Sequence, residues 1–223
     1  MKRIALKAFA FLMVFTLILP IFSTTADAAT NKTRYSTTLK SATGKSYKVS
    51  LMGTKERMAK ASFNGVNGFD FVWAGANDGD RLYNGDYELY VINKATKFSY
   101  KNYTYNKTRK MIYKIPARYK GQQDLLLVAE VGSSNFEGAD VYYMYNGKLK
   151  KAKSGIGYTL RPQNVGKNIF KVAEYNNADI GVGYSFVTFK LNPKTGKISK
   201  VKKERAKGSN NSDVYKNWKK HWK

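Results

Sequence analysis

Glu130 and Glu174 stand at the same place in a pattern that the chain repeats. Each follows an apolar run ending in Val-Ala, Val128-Ala129 in one case and Val172-Ala173 in the other. Two carboxylates held face to face can hydrolyse a glycosidic bond, one as general acid and the other as base or nucleophile. Repeat-equivalent residues share a structural duty first, here closing a loop by accepting backbone N–H groups, and that duty is the stronger expectation.

Other catalytic constellations are poorly supplied. His221 is the only histidine and lies next to the C-terminus, and the chain has no cysteine and no glycine-rich phosphate loop. Histidine triads, histidine-rich zinc sites and thiol nucleophiles therefore drop out. The stretch Asn77-Asp78-Gly79-Asp80, with Asp86, has oxygens enough for calcium, and Gly79 lets the chain wrap. It lacks the spacing and terminal glutamate of an EF-hand loop, and the same composition makes an ordinary turn. The expectation is no cofactor, with calcium at Asp78, Asp80 and Asp86 as the alternative.

What the chain has in abundance is positive charge beside aromatic rings. Lys+Arg is 40 against Asp+Glu 15, a net charge of +25. The charge is spread along the chain, densest in a run holding Lys148, Lys150, Lys151 and Lys153 and again from Lys197 onward, with Lys200, Lys202 and Lys203. Solubility alone needs far less, so these lysines read as anion-binding residues on a surface that attracts polyanions. Tyrosines stand next to lysines at Tyr100-Lys101, Tyr113-Lys114 and Tyr119-Lys120. Such rings can stack on sugars or bases while the cations hold phosphates, although tyrosine also suits half-buried strands.

The elements that would position these residues come in three copies. Residues 69–98, 124–150 and 168–198 each read as strand, polar loop, strand, turn and basic strand. Superimposing Ala74, Ala129 and Ala173 puts Trp73, Val128 and Val172 in register, and the turn asparagines Asn93, Asn146 and Asn192 follow at similar spacing. The third strands then place Tyr90 and Ile92, Val141, Tyr143 and Tyr145, and Val187, Phe189 and Leu191 on one face, as expected for half-buried strands. Asn146-Gly147 is a two-residue hairpin signal, and Gly196 supplies a left-handed residue in the longer turn after Asn192. A further strand precedes each copy, at residues 47–51, 111–117 and 157–162. The expected fold is all-β: three β-meander repeats of about four strands, resembling propeller blades or closed as a barrel or sandwich.

Flanking segments complete the organisation. Residues 1–29 read as a cleaved secretory signal, with Lys2, Arg3 and Lys7, an apolar run over residues 8–22 and the small-x-small site Ala26-Asp27-Ala28. Its removal takes three positive charges and Asp27 and leaves +23. Residues 30–46 read as a flexible lead-in, residues 47–208 as one β-repeat domain with modules at about 47–110, 111–156 and 157–203, and residues 54–62 as a helical turn or two. Residues 209–223 predict a short basic helix: Ser212 suits an N-cap, Asp213 the first turn, and Val214, Trp218 and Trp222 fall four apart. Its indoles pack on the β-domain or dock on an anionic membrane.

The combined expectation is a secreted, non-enzymatic protein of a Gram-positive envelope that binds anionic polymers: teichoic acid, polysaccharide or lipid head groups, with nucleic acid second. The alternatives are a carbohydrate-active enzyme using Glu130 and Glu174 and a cationic toxin or antimicrobial factor.

Overall fold

The computed structural model describes residues 31–61, 76–133, 136–176 and 183–206. These form three antiparallel meanders, each in simple sequence order. The first sheet is β1 (Lys32–Lys40), β2 (Ser46–Lys60), β3 (Arg81–Val91) and β4 (Lys94–Asn106). The second is β5 (Ile112–Ile115), β6 (Leu125–Ser133), β7 (Phe136–Tyr145) and β8 (Lys148–Lys151), with β9 (Ile156–Tyr158) pairing the other half of β7. The third is β10 (Leu160–Gly166), β11 (Ile169–Asn176), β12 (Gly183–Leu191) and β13 (Ile198–Arg205).

Side-chain alternation sorts the core into two layers. Leu126, Val128, Tyr142 and Met144 of the second sheet pack against Leu39, Val49, Leu51, Tyr87 and Leu89 of the first. Their strand neighbours Leu125, Leu127, Ala129, Val141 and Tyr143 pack against Phe170, Val172, Val187 and Leu191 of the third. The second sheet is thus covered on both faces, which is why residues 125–129 are apolar without alternation. Tyr142, Tyr143 and Met144 are all essentially inaccessible, so β7 is buried on two sides where a half-buried strand was expected.

Three sequence expectations are corrected here. The segment taken as a flexible lead-in contains β1, whose Tyr35, Thr37 and Leu39 point inward while Ser36, Thr38 and Lys40 face solvent. Threonine favours the pleated surface, and pairing with β2 over residues 46–53 orders a strand with little apolar signal of its own. Where a helical turn was expected over residues 54–62, residues 54–60 form a β-bulge and the end of β2: the ladder slips between Thr54 and Arg57, and Lys55 takes φ 52°. The bulge turns Glu56 in over Gly53 and Gly85, where Arg34 meets it; a Cβ on Gly85 would lie 2.7 Å from the Thr54 carbonyl.

The third correction concerns register. Val91 pairs Lys94 and Tyr145 pairs Lys148, so the two-residue turns are Ile92-Asn93 and Asn146-Gly147, all four at positive φ. Asn93 therefore matches Gly147 and not Asn146. Leu89 and Tyr87 take the core face of β3, and Ile92 is left 58% exposed. In the first sheet the second strand of the meander is β2; the strand expected at residues 69–74 lies outside the described residues, as do residues 1–29.

Candidate functional site

In a meander the first-to-second and third-to-fourth turns share one end, and the second-to-third loops share the other. The three sheets are aligned so that all six turns lie together. Lys40 in the first sheet is bonded to Asp124 in the second through the Lys40 amide and the Asp124 carboxylate at 2.9 Å. Gln123 Nε2 donates to Asn168 Oδ1 of the third sheet at 3.1 Å. Tyr143 O–H donates to the Pro193 carbonyl, and the Lys153 amide to the Gly196 carbonyl, joining the last two turns of the second and third sheets.

The first turn of the second sheet is the buried part of this end. Its Gln122, Gln123 and Asp124 are buried. Gln122 Oε1 accepts from the Arg118 and Tyr119 amides and from Asn164 Nδ2, so a polar run that reads as surface loop serves as internal scaffolding.

The turn segments, residues 40–48, 91–98, 115–124, 145–153, 166–169 and 191–198, contain a single acidic residue, Asp124. Its carboxylate accepts the Lys40 and Ala117 amides and is 3% exposed. No accessible carboxylate within these segments therefore offsets Lys45, Lys94, Lys97, Lys148, Lys194 and Lys197, all exposed. An open groove of about 520 Å³ runs between the third-to-fourth turns of the first two sheets, lined by Tyr47, Ile92, Lys94, Lys97, Phe98 and Lys148. Lysine stems rest on rings here: Lys45 Nζ lies 5.6 Å from the Tyr47 ring centre, Lys97 Nζ 5.8 Å from Phe98 and Lys150 Nζ 4.5 Å from Tyr145. A ring beneath each ammonium holds it outward without neutralising it.

The anion-binding lysines expected from the sequence divide between two environments. Lys148, Lys150 and Lys153 belong to the turn end. Lys151 reaches back to Asp140 at 2.6 Å. On β13, Lys202 pairs with Glu204 at 2.7 Å and Lys203 with Glu174 at 3.3 Å, both toward the loop end, while Lys200 is exposed in between. Lys45, Lys94, Lys97, Lys194 and Lys197 were not singled out as individuals. The acid-free stretches around each turn were visible, but only the turn-to-turn bonds bring them to one end.

Glu130 and Glu174 do hold equivalent places on successive sheets, and for that reason they are kept apart. Glu130 shares a face with Leu126 and Val128, toward the first sheet, and Glu174 shares a face with Phe170 and Val172, toward the second. The second sheet stands between them. The candidate calcium ligands are also separated. Asp80 caps its own turn by accepting the Asn77 amide and Asn106 Nδ2, each at 2.9 Å; burial disfavours its charge, but these bonds hold its carboxyl below the usual range. Asp86, farther along β3, accepts the Asn102 amide and Lys101 Nζ, which likewise lower its pKa, and Asp78 is exposed in the turn. No group of three or more metal-ligating side chains occurs among the described residues. Trp218 and Trp222, with the expected terminal helix, lie outside the described residues.

No protein-family model matches this chain, and neither the curated proteins nor the solved structures contain a match to it.

Proposed function

We propose that the protein is a secreted, non-enzymatic binder of anionic envelope polymers, and that it grips them with the turn end of its three sheets. The observation that carries this reading is the segregation of charge. Six turns from three sheets meet, and the one acid among them is buried on backbone amides, so a chain of phosphates meets only cations. Random placement of surplus lysine for solubility would leave acids at both ends.

The arrangement suits a linear polymer better than a small anion. Lysines recur on neighbouring turns across the seams between sheets, with rings between them, and the groove that Lys94, Lys97 and Lys148 line is open. We read the sheets as stacked blades: β5 adjoins both β1 and β10, so the first strands lie side by side, as in the inner strands of a propeller. Teichoic acid is the polymer of choice for a chain with a secretory signal and no cysteine, since it is the nearest phosphate-rich polyanion outside a Gram-positive cell.

The test is sedimentation of the mature chain with isolated cell walls, native and stripped of teichoic acid, across a salt series. Binding that requires the polymer and falls steeply with salt is expected. Absence of binding at low salt would sink the proposal.

A further inference from the structure

At the loop end of β6 and β7, away from the lysine face, an open groove of about 540 Å³ lies between Tyr100 of the first sheet and the second sheet. It is floored with glycine: Gly132, Gly138, Gly155 and Gly157. Glycine weakens a strand and marks close approach by a backbone, a side chain or a ligand. Three of the four have such a neighbour within the chain. A Cβ on Gly155 would lie 2.7 Å from the Ala139 carbonyl oxygen, one on Gly132 would lie 3.2 Å from the Phe136 ring, and one on Gly157 would collide with that ring. A Cβ on Gly138 would meet nothing within 4 Å, so no part of the described chain explains that glycine.

The groove around Gly138 is chemically uniform in purpose. Phe136, 37% exposed, sets the edge of its ring against Gly132 and Gly157 and leaves apolar surface open to the groove. Glu130 pairs Gly138 while Val128 pairs Asp140, which makes the two carboxylates diagonal neighbours on one face of the ladder. Asp140 is held by Tyr100 O–H at 3.0 Å and Lys151 Nζ at 2.6 Å. Glu130 is exposed and has no hydrogen-bond partner among the described residues. Two acceptor carboxylates repel phosphate. With the Lys151 ammonium beside Asp140 as donor, they suit the vicinal hydroxyls of a sugar whose C–H groups rest on Phe136. We propose that this groove binds a neutral saccharide chain, at a site distinct from the polyanion-binding face.

The experiment is titration of the mature chain with chitotetraose, cellotetraose and maltotetraose by calorimetry at high salt, which silences the lysine face. The wild-type protein is expected to bind at least one of them. Gly138→Val fills the groove with a strand-forming residue where there is room for it, and is expected to weaken binding about tenfold or more with an unchanged thermal midpoint. Phe136→Ala and Glu130→Gln should weaken it as well. Charge removal at Lys94, Lys97 and Lys148 should leave sugar binding intact while lowering retention on walls, so the two sites fail separately. No binding of any of the three sugars up to about 10 mM, or binding that Gly138→Val leaves intact, overturns the proposal.

Discussion

Lys40 and Asp124, 84 residues apart, exchange two hydrogen bonds: the Lys40 amide donates to Asp124 Oδ2 and the Asp124 amide to the Lys40 carbonyl, each at 2.9 Å. The second carboxylate oxygen accepts the Ala117 amide at 2.7 Å. One side chain thus seams the first sheet to the second and hides the only acid of the turn segments. Asp124→Ala leaves two amides without acceptors, so a loss of about 2–4 kcal/mol is expected, and Asp124→Asn should recover part of it. Urea unfolding with an unchanged m-value checks this; a loss below about 1 kcal/mol would mean that water replaces the carboxylate.

Acid stability should depend on Glu56. Burial works against its charge, yet the hydrogen bonds and positive charge of the Arg34 guanidinium prevail and hold its carboxyl below its ordinary value of 4.5. A depressed carboxyl pKa contributes stability that is complete above the unfolded value and is lost as pH falls through the folded one. Arg34→Met is therefore expected to cost about 3 kcal/mol at neutral pH, because it strands a buried carboxylate. The gap from wild type should close below about pH 4. Denaturation midpoints measured from pH 7 to pH 3 decide it, and a constant gap would rule the linkage out.

The Ile92 backbone is strained. Its φ of 49° is one that β-branched residues avoid, and its side chain is 58% exposed, so nothing is gained by burial. The equivalent residue of the next sheet is Asn146, at the same φ of 49° and with the side chain that this turn prefers. Ile92→Asn is expected to stabilise the protein by about 1 kcal/mol, and Asn146→Ile to destabilise it by a similar amount. If Ile92→Asn instead weakens wall binding without changing stability, the residue serves the groove that it lines beside Lys94 and Lys97.

The meander repeats were legible because strand, turn and basic strand recur in order, and the three sheets follow them. Layering was less so. The run Leu125–Ala129 is apolar throughout, and periodicity cannot tell a strand buried on two faces from a short buried helix. β1 was missed because its apolar content is confined to Tyr35 and Leu39; its partner β2 supplies the order. The turn asparagines misled, since Asn93 is the second turn residue and Asn146 the first, and a slip of one residue exchanges the faces of a strand. At the site, lysine runs were visible but their environments were not: Lys202 and Lys203 read like Lys148 and Lys150 until Glu204 and Glu174 are found beside them.

That difference in pairing makes the last prediction. Lys94, Lys97 and Lys148 line one groove with no accessible carboxylate in the turn segments, so each can engage a phosphate and release its counterion. Replacing all three with Gln is expected to lower the salt dependence of binding to a soluble polyphosphate by about two in the log–log slope, and to reduce affinity at low salt by more than at high salt. Lys202→Gln with Lys203→Gln removes cations already engaged by Glu204 and Glu174 and frees those carboxylates. Its effect should be small in the slope, with a uniform, modest loss of affinity from the added negative charge. Equal slopes for the two variants would show that net charge alone governs binding and that the turn end has no privileged role.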